Sequence, residues 1–114
     1  MKLDFIAEQL NLQKQTSAMN LSVDVTGGYI SDLLSDVMAH AKKGDIWITL
    51  QIHQSTVAVA TLKELAGIVV VNGKKPAQET IKKADEEGVP LFSSEKTAFE
   101  LICELCKLGI SGSR

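Results

Sequence analysis

Strand-like and helix-like segments alternate from Leu21 to the end of the chain. In each pair, a short apolar run precedes a longer stretch whose apolar residues recur at helical spacing. The strand-like runs lie at 21–25, 46–52, 67–71 and 90–93, and the helix-like stretches at 31–41, 55–65, 77–87 and 95–108. Because parallel strands need crossover connections, this alternation predicts an α/β fold with a small, mostly parallel four-stranded sheet flanked by helices.

The N-terminal segment 1–20 comes before this alternation and has a different pattern. Apolar residues between Leu3 and Leu10 recur at the spacing of one helix face, which predicts a short N-terminal helix. The polar residues 13–20 predict a loop with at most a short extended piece, and residues 111–114 predict a flexible tail. Because the 114 residues contain no internal repeat and no linker, a single domain over 1–114 is predicted.

The composition disfavours several classes of protein. The net charge is −2, whereas a nucleic-acid-binding domain usually carries a basic surplus that neutralises phosphates. No apolar run approaches the ~20 residues of a membrane span, and charged residues interrupt the N-terminal segment where a signal peptide would be apolar. The sequence therefore predicts a cytoplasmic protein with reduced cysteines that binds neither nucleic acid nor a membrane.

The residues that could support catalysis do not form a recognisable set. Cys103 and Cys106 form a C-x-x-C late in the last helix, whereas redox motifs of this spacing begin a helix. The sequence lacks the second pair of a zinc site, so both cysteines are expected to be buried small hydrophobic residues. No nucleophile carries an elbow signature, and the run 67–74 departs from a P-loop. We expect no metal, no cofactor and no catalysis; the enzymatic alternative uses His53 as a general base.

The last predicted helix is apolar around most of its circumference. Its polar residues Glu100, Glu104 and Lys107 occupy a narrow strip, whereas packing on one sheet needs an apolar stripe of only about 100°. The other positions are Ala98, Phe99, Leu101, Ile102, Cys103, Leu105, Cys106 and Leu108. A second copy of the chain is the simplest cover for the surplus, so a homodimer through the last helix is predicted.

Small polar residues follow the predicted strands, and parallel sheets bind ligands beyond the carboxyl ends of their strands. The two glycines after the first strand are predicted to form a turn that opens a helix, where bare amides can hold an anion. The predicted ligand-binding residues are Asp24, Thr26, Gly27, Gly28, Asp32, His53, Asn72 and Gly73. The alternative is structural, with ordinary turns, a positive φ at the glycine pair and a histidine that caps the next helix.

The run DVTGG at residues 24–28 resembles the signature of the DRTGG domain family, with Val25 where the family name has arginine. The resemblance extends over 3–110 and includes the runs 29–38, 44–49, 53–62 and 66–73. Such domains occur as regulatory inserts beside CBS domains in some inorganic pyrophosphatases, within long phosphotransacetylases and alone. The N-terminal domain of HPr kinase/phosphorylase looks related. The family has no established activity of its own.

The resemblance implies a non-catalytic regulatory domain that senses a small anionic ligand such as an adenine nucleotide. Val25 lacks the positive charge that an arginine would offer to a phosphate, which disfavours an arginine-held phosphate here. The alternative is a homodimeric protein-interaction module that regulates a separate enzyme and has no ligand of its own. The polar loops favour the sensor, and the wide apolar arc of the last helix favours the module.

Overall fold

The computed structural model describes residues 1–17 and 21–112. In this part of the chain the strands are β1 (Gln13–Lys14), β2 (Gly27–Ile30), β3 (Asp45–Thr49), β4 (Gly67–Val70) and β5 (Leu91–Ser93). They form one five-stranded sheet in the order β1-β5-β4-β3-β2. The strands β2 to β5 run parallel, and β1 is antiparallel to β5. The predicted α/β class with a mostly parallel sheet is confirmed. The sheet has five strands where four were predicted, and the two-residue β1 lies where a loop with a short extended piece was expected.

The helices over the same residues are α1 (Leu3–Gln9), α2 (Leu34–His40), α3 (Ser55–Lys63), α4 (Gln78–Glu87) and α5 (Ala98–Lys107). Local sequence explains where several of them begin and end. The C-cap of α4 is Gly88 with a φ of 70°, a conformation that glycine adopts without strain. A capping box begins α5, in which Thr97 and Glu100 exchange hydrogen bonds between side chain and backbone. The predicted N-terminal helix is confirmed as α1.

The helices α2, α3 and α4 cover one face of the sheet, which we call the three-helix face. Successive parallel strands are neighbours in the sheet, so right-handed crossovers all return over the same side. Val37 of α2, Val57 of α3 and Ala84 of α4 pack with Trp47 and Ile68 of the sheet in one buried cluster.

The helices α1 and α5 cover the opposite face, which we call the two-helix face. Ile6 of α1 and Leu101 of α5 pack with Ile46, Val69 and Phe92 of the sheet in a second buried cluster. Neighbouring residues of β3 and β4 therefore point into different clusters, as strand geometry requires. Burial on both sides explains why these strands read as continuous apolar runs.

The strand predicted over 21–25 is wrong, and so is the turn predicted at the two glycines. Residues 21–25 lie beside the start of α1: the N–H of Leu3 donates to the carbonyl of Val23 at 3.0 Å, and the N–H of Val25 donates to the carbonyl of Met1 at 2.8 Å. The apolar alternation in this segment reflects packing against α1 and not a strand in the sheet. The first parallel strand is instead β2, which begins with the glycine pair.

The chain returns to β2 after α5. Ile110 is buried in the cluster of the two-helix face, and Gly112 forms an isolated parallel bridge with Gly28. Residues 113–114 of the predicted tail and 18–20 of the predicted loop lie outside the described residues. Among the described residues, no helix has the length and apolar character that a membrane span needs.

Candidate ligand-binding site

A cleft of about 190 Å³ opens on the two-helix face, between the edge strand β2 and α5. It is lined by Gly28, Tyr29, Ile30, Ile48, Ile102, Leu105, Cys106, Ile110, Ser111 and Gly112. These residues come from β2, β3, the helix α5 and the segment after α5. A concave site with mainly apolar walls suits the apolar part of a small ligand.

Gly28 leaves the floor of the cleft open. Positive φ values occur at Gly44 and Gly73 but not at Gly28 or its neighbour in the pair. An added Cβ at Gly28 would lie 3.5 Å from Cγ2 of Ile46 and 4.0 Å from Cγ2 of Ile110, which are ordinary contacts. The structural alternative that positive φ explains the glycine pair is therefore wrong, and the missing side chain at Gly28 serves to enlarge the cleft.

A smaller pocket of about 50 Å³ adjoins the cleft and shares Ile30 and Ile48 with it. Its other lining residues are Asp32, Thr49, Leu50, Val71 and Ala98. We call the cleft and this pocket together the β2–α5 groove. It runs from Gly28 of β2 to Asp32, which lies two residues past the end of that strand.

Asp32 connects the carboxyl ends of β2 and β3. Its Oδ1 accepts a hydrogen bond from Oγ1 of Thr49 at 2.9 Å and another from the N–H of Leu50 at 2.7 Å. Nε2 of Gln51 donates to the backbone carbonyl of Asp32 at 2.8 Å. The carboxylate therefore orders the end of the groove and places a negative charge beside it.

Asp24, Thr26 and Gly27 lie at the opposite end of β2. The carboxylate of Asp24 lies 3.3 Å from Nζ of Lys2, which ties this segment to the start of α1. The N–H of Thr26 donates to the carbonyl of Gly44 at 3.0 Å. Gly27 is buried and pairs in register with the first residue of β3. These contacts fasten the entry into β2, and none of the three residues lines the groove.

His53 bonds its neighbour Ser55 just before α3, whose N-cap is Gln54 and has no side-chain cap hydrogen bond. Its Nδ1 lies 3.0 Å from Oγ of Ser55 and accepts the N–H of Ser55 at 3.2 Å. The carbonyl of His53 accepts from the N–H and the hydroxyl of Thr56. The ring is exposed and lies outside the lining of the groove.

Asn72 and Gly73 form the turn after β4, with φ values of 61° and 69°. The N–H of Asn72 donates to the carbonyl of Lys96 at 2.9 Å, and the N–H of Gly73 donates to the carbonyl of Ser94 at 2.8 Å. Their amides thus hold the connection between β5 and α5. They are not directed to an open site.

The structure divides the predicted ligand-binding residues between the two ends of the parallel strands. Gly28 and Asp32 are the members of that set that line the β2–α5 groove. The strand-end rule locates a crevice where the strand order reverses, but β2 to β5 follow one another in chain order. The sheet therefore has no reversal among its parallel strands, and the cleft described above lies on a face, beside the edge strand.

The apolar arc of α5 has two sides. Leu101 and Leu105 face the sheet with exposures of 0% and 4%, whereas Phe99 is 80% exposed. Cys103 and Cys106 are also exposed, so the prediction that both are buried is wrong. At 100° per residue the cysteines project away from Leu101 and Leu105, toward the side of Phe99.

A hydrogen-bonded group that the sequence reasoning missed lies at the start of α2. The hydroxyl of Tyr29 donates to Oδ2 of Asp36 at 2.8 Å, and Nδ1 of His40 lies 3.0 Å from Oδ1 of Asp36. The Tyr29 hydroxyl bond, followed by the hydroxyl of Ser31, holds the pKa of Asp36 below its ordinary value. The same bond raises the pKa of Tyr29. These hydrogen bonds stabilise the segment that leaves β2. The carboxylate of Asp36 does not line the groove.

No protein-family model and no curated protein matches this sequence, whereas five chains of solved structures do. One is the crystal structure of the CBS and DRTGG domains of the regulatory region of Clostridium perfringens pyrophosphatase, complexed with the activator diadenosine tetraphosphate. The TM-score is 0.73 at 17% identity, and the match covers 90% of this chain and 44% of that chain. This likeness shows the fold: the chain is an α/β domain similar to the CBS and DRTGG regulatory region.

Proposed function

We propose that this chain is a non-catalytic regulatory domain that binds a small ligand in the β2–α5 groove. The observation that carries the proposal is the open cleft at Gly28, where the last glycine of the DVTGG run meets apolar walls from β3 and α5. The fold supports a regulatory role, because a regulatory region with a similar fold has been crystallised with a nucleotide activator.

An adenine nucleotide is the ligand class that we propose. The faces of a purine ring are largely apolar, and Ile30, Ile48 and Ile102 offer it dispersion contacts in the cleft. The phosphates would remain in solvent outside these walls. Val25, at the place of the arginine in the family name, is 2% exposed and packs in the core. In this proposal the adenine ring therefore makes most of the contacts with the protein.

The contacts of His53 argue for a structural role in this function. Nδ1 of its ring accepts a hydrogen bond from the N–H of Ser55, and the ring lies outside the groove. A general base must lie within hydrogen-bond reach of the group that it deprotonates, and His53 does not line the cavity in which a substrate would bind. We therefore assign no catalytic step to the groove.

The exposed side of α5 favours a second candidate function, a module that binds a separate enzyme. Phe99 is 80% exposed, and both cysteines are exposed on the same side. In this function a second copy of the chain would cover this side of α5, the homodimer would bind the separate enzyme, and the groove would hold no ligand. The two candidates differ in what stabilises the isolated chain: a nucleotide in the first case, only a protein in the second.

A thermal-unfolding titration with ATP, AMP and diadenosine tetraphosphate tests the proposal, with inorganic triphosphate as the control for charge alone. A nucleotide at a hundredfold excess over its Kd stabilises the folded state by about 2.7 kcal/mol. That corresponds to a rise in Tm of roughly 10–20 °C for a domain of this size. If none of the nucleotides raises Tm, the interaction module becomes the better account.

Variants then locate the ligand. Gly28→Val places two methyl groups in the cleft and should abolish the nucleotide-induced rise in Tm. Thr26→Val is the matched control, because Thr26 precedes the same strand but does not line the cleft. His53→Ala should bind as the wild type does. Loss of binding in His53→Ala together with normal binding in Gly28→Val would instead place the ligand at the strand ends.

A further inference from the structure

We propose that two copies of this chain associate through α5, with the two helices antiparallel across a two-fold axis. The contact surface is the outer stripe of α5, which we define as Phe99, Cys103 and Cys106. Phe99 is 80% exposed and both cysteines are exposed. The spacing of four and then three residues is that of a helix–helix contact. Cys106 also lines the cleft, so this contact surface borders the groove, but the proposal is argued without a ligand there.

The charges beside the outer stripe select both the partner and its direction. Glu100 and Lys107 are exposed and lie seven residues apart on one flank of the stripe. In a two-fold antiparallel pair each flank faces the same flank of the other helix, so Glu100 of one copy lies opposite Lys107 of the other, twice. A parallel pair would instead set this charged flank against the apolar flank that carries Ile102, and both charges would lack a partner on the other helix. A second copy therefore supplies the complementary charges that this flank requires.

The contacts of the acidic residues within the chain leave Glu100 available. Both bonds of its side chain to Thr97 use Oε1, so Oε2 remains for the lysine of a second copy. Glu104, in contrast, pairs with Lys96 of its own chain at 3.7 Å. The antiparallel arrangement thus pairs Lys107 with Glu100, whose carboxylate forms no salt bridge with a lysine within the described part of the chain.

The other flank extends the apolar surface. Ile102 lies on that side and shares the cleft with Ile30, which is 48% exposed. The apolar surface therefore continues from the outer stripe to the edge strand β2. A helix of ten residues is about 15 Å long, so the buried area falls at the small end of specific interfaces. We therefore expect association in the micromolar range.

Sedimentation equilibrium of the full chain tests the surface. The wild type should form a dimer at tens of micromolar, and Phe99→Glu should be a monomer under the same conditions. Leu62→Glu is the matched control, because Leu62 is 72% exposed on α3, on the three-helix face. It should remain a dimer. A wild type that stays monomeric at several hundred micromolar, or a Phe99→Glu variant that still forms a dimer, would overturn the proposal.

A double-mutant cycle tests the antiparallel direction. Glu100→Gln removes the charge but keeps a side chain that serves the capping box. Lys107→Glu should raise the dimer dissociation constant by about tenfold in the wild-type background, because it turns two attractive pairs into repulsive ones. In the Glu100→Gln background the same change should cost only about two- to threefold. Equal costs in the two backgrounds would exclude the antiparallel pairing.

Discussion

The two faces of the sheet are covered in different ways. Three helices that connect successive parallel strands cover one face, and their residues enclose Trp47, which is fully buried. The other face is covered by α1 and α5, which come from the two ends of the element order. This cover does not reach the edge strand, so the β2–α5 groove remains along β2. In this sheet the crossover helices fill one face, and the opposite face keeps an open groove beside the edge strand.

The largest test of this comparison uses one isoleucine from each face. Ile68 is fully buried on the three-helix face, and Ile48 is 2% exposed at the floor of the groove. Ile68→Ala should lower the free energy of unfolding by about 3–5 kcal/mol, because it leaves a closed cavity. Ile48→Ala should cost only about 2–3 kcal/mol, because the change enlarges an existing opening. Urea unfolding of both variants gives the difference, and equal losses would show that both faces are packed alike.

Substitutions at two glycines, one of which lines the groove, should give a smaller difference in the free energy of unfolding. Gly44 has a φ of 87°, and an added Cβ there would collide with Oγ1 of Thr26. Gly44→Ala should therefore lower the free energy of unfolding by about 1–3 kcal/mol. Gly28→Ala should change it by less than about 1 kcal/mol, because the φ is ordinary and the added methyl meets only ordinary contacts. A larger loss at Gly28 than at Gly44 would show that the backbone, and not the cleft, requires the glycine of β2.

The smallest expected effect is the pH dependence of the contact between Tyr29 and Asp36. Because the bond to the Tyr29 hydroxyl lowers the pKa of Asp36 below its ordinary value of 3.8, the contact stabilises the fold above that pH. This stabilisation is lost as the pH falls through the lowered pKa of the folded state. Tyr29→Phe should therefore lower Tm slightly at pH 7, and the difference from the wild type should vanish in strong acid. A Tm difference that stays constant down to acid pH would contradict this account.

The sequence predicted the elements that local patterns determine. Gly88 was expected to end a helix and does so, and the apolar run 67–71 became the buried strand β4. The prediction failed at 21–25 because alternation of apolar and polar residues indicates only that one side of the segment is buried. A neighbouring helix can bury that side as well as a sheet can. The exposed positions of Cys103 and Cys106 could have been inferred from the helical angle between them and Leu101, which faces the core.

The groove could not be predicted in the same way. Its walls bring Gly28 together with Ile102 and Ile110, which are far apart in the sequence. No local pattern encodes that contact, because it depends on the path of α5 across the sheet. The run 24–28 that carries the resemblance includes Gly28, which lines the groove, and Asp32 lines it as well. Of the other predicted site residues, His53, Asn72 and Gly73 follow the carboxyl ends of strands and form turns there, whereas Asp24, Thr26 and Gly27 lie at the amino end of β2.

The agreement between strand order and chain order also determines how the chain can fold. Each parallel pair from β2 to β5 joins strands that are consecutive in the sequence, so these units can form one after another with short loop closures. Two pairings are different: Gln13 with Ser93, and Gly28 with Gly112, each join residues about eighty positions apart. Such distant closures carry the largest entropic cost and tend to form late. The mouth of the groove, which includes the second of these pairings, would thus be completed near the end of folding and would be among the first parts to open.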